Sequence, residues 1–148
     1  NIYPVGAAIG PGLPLGIGAA MAAAEGRKVV AMCGDGGFNL SLAELPTAAQ
    51  ENADVVFLVM NDGGYGVIGH IQDAMYGGRH YFGDVRSPDF ETLAKASGLP
   101  WWKVDKPRDL GEAVSQALAV AGPALVEVDM VAIGPYPRYF APPPHAGK

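Results

Sequence analysis

Positive charge is missing from the middle of this chain. Between Lys28 and Arg79 there is no lysine or arginine. A phosphate loop of the G-x-x-x-x-G-K-[ST] kind needs a lysine behind its glycines, and no such string occurs. An anion bound here would depend on backbone N–H groups or a metal ion. Cysteine is almost absent as well. Cys33 stands alone, which excludes an internal disulfide framework and fits a reducing, cytoplasmic compartment. Its apolar neighbours make it an inert core thiol. Only 17% of the 148 residues are charged. The net charge of −5 and pI near 5.0 argue against nucleic acid or an anionic membrane as partner. Long apolar runs are lacking too. "LPLGIGAAMAAA" (13–24) is short, broken by glycine and proline, and cannot span a bilayer. It carries no basic leader of the secretory kind. The chain opens on "NIYPVG" without a methionine, which fits a piece of something longer.

Glycine and short apolar runs are what the chain has instead. Apolar content of 49% is high for a free-standing domain and points to surface covered by something else. Residues 14–26 read as a helix of small side chains. Residues 28–33 and 54–60 are continuous apolar runs, as expected of parallel strands covered on both faces. Residues 41–52 read as a helix opened by a capping box of Ser41 and Glu44, with Pro46 as a local conflict. A helix follows over 89–98, a strand over 101–104, a helix over 107–122 opened by Pro107, and a strand over 124–130. The stretch 134–148 reads as a proline-rich, extended tail. Alternation of this kind predicts an α/β sandwich of three layers, with a mostly parallel central sheet flanked by helices.

Two glycine-rich loops stand out on that frame. "CGDGGFN" (33–39) follows the first strand and "NDGGYG" (61–66) the second, with Asp62 27 positions after Asp35. One crossover helix separates them, so both lie at the carboxyl edge of neighbouring parallel strands, where open α/β sheets bind ligands. A plain strand-to-helix turn with Asp35 as helix cap is the alternative for the first loop. "GPGLPLG" (10–16) has the wrong spacing for a dinucleotide fingerprint and no strand before it. Without basic side chains, a diphosphate can still be held by glycine N–H groups, a helix N-terminus and a hard divalent cation. Magnesium takes one or two carboxylates and completes its shell with carbonyl, water and phosphate oxygens. Asp35, Asp62 and nearby carbonyls suit that shell.

"GDG" (34–36), the interval, and "ND" (61–62), with "AAIGPGLPLGIGAA" before and "NDGGYGVIGHIQ" after, resemble the cofactor-binding (PP) domain of thiamine-diphosphate enzymes such as acetolactate synthases and benzoylformate decarboxylases. The resemblance covers nearly the whole chain and implies a thiamine-diphosphate-binding domain over residues 1–133. It implies that Asp35, Asp62 and the Gly64 carbonyl ligate Mg²⁺, and that Gly34, Gly36, Gly37, Gly63, Tyr65 and Gly66 surround the diphosphate. It makes Ile9 the apolar wedge that bends the cofactor. The Ala7 carbonyl becomes the acceptor for the cofactor's amino group, and Val67, Ile68 and Ile71 become lining of the substrate pocket. Core packing is the alternative for Ile9 and Ile68. The implied activity is decarboxylation of a 2-oxo acid, followed by protonation or carboligation of the enamine.

Some residues depart from the family pattern. Asp62 stands where the family has asparagine and puts a second carboxylate beside the first. His70 is a candidate proton donor or an ordinary solvated histidine. The activating glutamate of the family comes from a different (Pyr) domain. None of Glu25, Glu44, Glu51, Glu91, Glu112 or Glu127 lies in a motif resembling it. The chain therefore looks like half of an active site, completed by a Pyr domain or second subunit, in a homodimer or homotetramer. "NDGGYGVIGHIQ" lacks the glutamine-histidine-leucine stretch of acetolactate synthases, which favours a decarboxylase or carboligase, with the synthase catalytic subunit as the alternative. A non-catalytic cofactor-binding or regulatory subunit and a flavodoxin-like or Rossmann-like nucleotide domain are the readings from other classes.

Overall fold

Residues 1–134, apart from residues 5, 7, 25 and 85, are described in a computed structural model of the chain. Four parallel strands build the sheet: β1 (Val29–Gly34), β2 (Val55–Asn61), β3 (Trp101–Val104) and β4 (Ala124–Asp129). Their order is β1-β2-β4-β3. Helices α1 (Gly12–Ala22), α2 (Asp35–Asn39), α3 (Leu45–Gln50), α4 (Gly66–Tyr76), α5 (Phe90–Ala96), α6 (Leu110–Ala119) and α7 (Met130–Ile133) fill the connections. The sheet separates two apolar cores. Leu13, Phe38, Phe57, Phe90 and Leu125 belong to the one under α1, α2, α3 and α5. Val56, Val104, Ala117, Val126 and Val128 belong to the one under α6. This is the expected three-layer α/β architecture.

The strands fall within a residue or two of their predicted positions because each is a bounded run of β-branched and apolar residues. The helices differ more. The stretch 41–52 is a 3₁₀ turn (Leu42–Glu44) followed by α3, and Pro46 sits in the first turn of α3, where its missing N–H is not needed. The capping box does not form. The Ser41 hydroxyl donates to the Gly10 carbonyl at 2.7 Å and ties α2 to the loop before α1. The helix expected over 107–122 begins as a 3₁₀ turn (Pro107–Asp109) and ends at Ala119. The helix over 89–98 is α5, capped by the Asp89 carboxylate, which accepts from the Thr92 N–H at 2.7 Å. The predicted tail lies outside the described residues beyond Gly134.

β1 is an edge strand of the described sheet, and its burial alternates. Val29, Ala31 and Cys33 pack against the first core. Val30 and Met32 point the other way and are 47% and 69% exposed. On that face α6 packs over β3 and β4. Among the described residues nothing covers the β1 end.

Candidate functional site

The parallel register of β1 and β2 pairs Gly34 with Met60, so the chain leaves both strands side by side at one edge. Asp35 begins α2 directly. Its anchor is Phe38, wholly buried, which meets the rings of Phe57 and Phe90 edge-on at centroid distances of 6.4 and 5.5 Å. Such pairs add about 0.5–1.5 kcal/mol each beyond area burial, which fixes α2 against the sheet.

Asp35 is 0% exposed. It does not cap α2, whose N-cap is Gly34 with no side-chain bond. Its Oδ2 accepts from the Ser87 hydroxyl at 2.5 Å and its Oδ1 from the Asp62 N–H at a long 3.4 Å. No lysine, arginine or histidine pairs with it among the described residues. A buried carboxylate held by neutral donors alone is an unfavourable arrangement unless a cation completes it. The same charge acts on Cys33. Burial first, and the Asp35 carboxylate second, push the Cys33 thiol up to about 12, which agrees with an inert thiol.

The second loop is held from three sides. Asn61, the last residue of β2, donates its amide to Glu127 Oε1 at 2.9 Å and accepts the Gly63 N–H at 3.2 Å. Glycine is required where backbones meet. A Cβ on Gly36 would lie 2.5 Å from the Tyr65 ring, and one on Gly64 2.6 Å from the Gly83 carbonyl oxygen. Tyr65 thus packs its ring directly against Gly36 of the GDG turn. Its own N–H donates to the Gly83 carbonyl at 2.8 Å, and Gly64 makes a β-bridge to Asp84. The Asp62 carboxylate leans over Gly66, where it occupies the space a side chain would take. Gly66 opens α4, an eleven-residue helix with Tyr65 at its N-cap and no side-chain cap, so its first N–H groups face the loop.

Two hollows flank this loop. A groove of about 1170 Å³ is lined by Ile9, Gly36, Gly37, Asp62, Gly64 and Val67, with Gly34, Tyr65 and Gly66 in the same wall. Gly63, His70 and the exposed His80–Asp73 pair (2.6 Å) lie instead on a smaller cavity of about 430 Å³, on the other side of α4. Ile9 is 59% exposed and is therefore not part of the core. Its Cγ1 lies 3.7 Å from where a Cβ on Gly37 would sit. Ile68, 38% exposed, and the half-buried Ile71 also lie on α4 but are not in the groove wall. Ala7 lies outside the described residues. Ser87 and Glu127, which hold the two loops, carried no signal in the sequence, and Asn61 was read only as the first residue of the "ND" pair. Each acts across 52 or more positions, and serine and glutamate are ordinary at such places.

No three His, Cys, Asp or Glu side chains among the described residues gather to hold a metal. A cation at this edge would have two carboxylates at most and would need carbonyl, water and phosphate oxygens besides, which fits magnesium with a diphosphate. The profile of the family described as thiamine pyrophosphate enzyme, C-terminal TPP binding domain, matches residues 3–128. The chain belongs to this family. It is 37% identical over 120 residues to the mitochondrial acetolactate synthase catalytic subunit of Aspergillus candidus, covering 81% of this chain and 17% of that one. It is 36% identical over 128 residues to the acetolactate synthase isozyme 3 large subunit of Escherichia coli K12, covering 85% and 22%. A solved thiamine diphosphate-dependent 4-hydroxybenzoylformate decarboxylase of Rhodococcus jostii RHA1 superposes with a TM-score of 0.75 at 34% identity, over 82% of this chain and 23% of that one. The chain thus spans about a fifth of the length of these relatives. No helix among the described residues is long and apolar enough to cross a membrane.

Proposed function

We propose that this TPP-binding domain is the diphosphate-holding and metal-holding half of an enzyme that decarboxylates a 2-oxo acid, and that residues 1–133 form that half. The observation that carries the reading is the meeting of Asp35, buried and without a cationic partner among the described residues, with the Asp62–Gly66 loop at one sheet edge. Asp35, Asp62 and the Gly64 carbonyl would hold Mg²⁺. The glycine-lined turn and the start of α4, beside the Asp62 carboxylate, would receive the diphosphate, since the first N–H groups of a helix attract anions. Ile9, exposed on the groove wall, would press on the cofactor and set its conformation, with the Ala7 carbonyl accepting its amino group. Val67, together with Ile68 and Ile71 once the site is covered, would bound the substrate. Bound thiamine diphosphate supplies the nucleophilic carbon and accepts the electrons that decarboxylation releases.

A Pyr domain or second subunit would supply the activating glutamate and the facing wall, in a cytoplasmic homodimer or homotetramer. The identities of 36–37% to acetolactate synthases favour a second reading, carboligation by a synthase catalytic subunit. The absent glutamine-histidine-leucine stretch and the decarboxylase superposition favour the first. Calorimetry of thiamine diphosphate binding to the assembled enzyme tests the site. Binding should be weak in EDTA and recover with magnesium, and equal affinity in both conditions overturns the reading.

A further inference from the structure

We propose that Ser87 is a positioning residue for the Asp35 carboxylate, acting through a directed hydrogen-bond chain that starts at Asn39. The inference rests on the reading of Asp35 as a magnesium ligand. Asp35 and Asn39 are four residues apart on α2 and so share one face of it. Ser87 comes from the segment before α5 and bridges them: the Asn39 Nδ2 donates to Ser87 Oγ at 3.1 Å, and Ser87 Oγ donates to Asp35 Oδ2 at 2.5 Å.

The direction of this chain is set by chemistry. An amide nitrogen only donates and an ionised carboxylate only accepts, so the hydroxyl between them accepts from one and gives its proton to the other. Asn39 behaves as if held for that donor alone. Its Oδ1 is buried with no partner among the described residues, an arrangement that proteins rarely leave in place. Ser87 is itself rigidly delivered, because Pro88 fixes the backbone after it and Asp89 caps α5 one residue later.

The consequence falls on the carboxylate. With Oδ2 held by Ser87 and Oδ1 by the Asp62 N–H, Asp35 cannot turn about its bond to the chain without losing both partners. Its remaining lone pairs keep one bearing toward the second loop. Partners of this kind, behind a metal ligand, typically change metal affinity 10–100-fold when removed.

Magnesium titration of the assembled enzyme, followed by calorimetry, tests the chain, with melting in EDTA measured beside it. Ser87→Ala should weaken magnesium binding about tenfold and, because it takes a donor from the buried Asp35 carboxylate, should also lower the EDTA melting temperature. Ser87→Thr keeps the hydroxyl and should restore affinity. Asn39→Ala should also weaken binding, and the double variant should lose no more than Ser87→Ala alone, since the three groups act as one unit. Unchanged magnesium affinity in Ser87→Ala, or a threonine variant as weak as the alanine one, overturns the proposal. So does a lower EDTA melting temperature with unaltered magnesium binding, which would make the contact purely structural. Failure of the wild type to bind magnesium would instead overturn the assignment of Asp35 itself, so the two failures are told apart.

Discussion

The Asn61 side-chain amide lies 2.9 Å from Glu127 Oε1, inside the sheet edge and 66 positions away in sequence. Glu127 is 6% exposed, and the same asparagine accepts the Gly63 N–H with its oxygen. The turn that presents Asp62 and Gly64 is therefore referenced to β4, a central strand. Asn61→Ala takes a donor from a buried carboxylate and should destabilise the chain by about 1–3 kcal/mol. Glu127→Gln keeps an acceptor oxygen toward Asn61 and should be milder. Urea unfolding of the pair checks the order, and an Asn61→Ala midpoint equal to that of the wild type would show that the contact does not hold the turn.

Asp35 and Asp62 should respond in opposite ways to neutralisation. Asp35→Asn removes a buried charge that only neutral groups hold, so in EDTA it should melt no lower than the wild type, while magnesium no longer raises its melting temperature. Asp62→Asn should keep metal-dependent binding and bind diphosphate at least as tightly, since one anion fewer faces the phosphates. Melting curves with and without magnesium and cofactor read both, and a Asp35→Asn protein still stabilised by magnesium would refute the ligand assignment.

Sequence carried the frame further than the supports. The runs 54–60 and 101–104 became β2 and β3 because a bounded apolar run has few other outcomes in a layered α/β chain. Asp35 and Asp62 could be placed together for the same reason: the strand-loop spacing alone sets them at one edge. Helix α4 was not foreseen. "GVIGHIQDAMY" has Val67, Ile71 and Met75 at helical spacing, but it contains two glycines and its start is fixed by Tyr65 on Gly36 and by the Gly83 carbonyl, contacts made only after folding. The capping box failed similarly, since Ser41 is drawn to the Gly10 carbonyl, 31 positions back. Ser87 and Glu127 were invisible because a single hydroxyl or carboxylate has no periodicity to read.

Ile9 offers a clean separation of function from stability. At 59% exposure its truncation should change stability by no more than about 0.5 kcal/mol, whereas core isoleucines cost about 2–5 kcal/mol. Ile9→Ala in the assembled enzyme should keep the melting temperature and diphosphate binding but lower turnover. A variant with full turnover rejects the wedge.

The response to pH follows from three groups, Asp89 and Lys103 exposed and Asp129 half-buried. Hydrogen bonds from Thr92 hold the Asp89 carboxyl below its usual range, and the Ala132 N–H and then Lys103 do the same for Asp129. Depressed carboxylates stabilise the fold above the unfolded pKa of about 3.9, and the benefit drains as pH falls through their lower folded values. Lys103 is raised, chiefly by its bond to Asp129, so its contribution is complete below about 10.4 and fades as pH rises through the folded value. Asp129→Asn should therefore flatten both the acid and the alkaline arms of a melting-temperature profile. Asp89→Asn should flatten only the acid arm.

The isolated 148-residue chain should be catalytically incomplete. It spans about a fifth of its relatives, and none of its glutamates lies in a motif resembling that of the activating residue. The structure adds a physical reason. Val30 and Met32 on the face of β1 that nothing covers among the described residues, with Ile9 and Met21 at 59% and 64% exposure, border the same open groove of about 1170 Å³ or the helix beside it. A β1 edge with unpaired backbone groups and an apolar face is a template for association. Alone, the chain should self-associate in light scattering and show no decarboxylation of pyruvate or benzoylformate, even with saturating magnesium and cofactor. Supplying the proposed Pyr domain should make it monodisperse in its assembly and restore turnover, because on this reading that domain would cover the groove and bring the glutamate. Turnover by a monodisperse monomer of this chain would overturn the half-site argument, since the groove would then need no second wall.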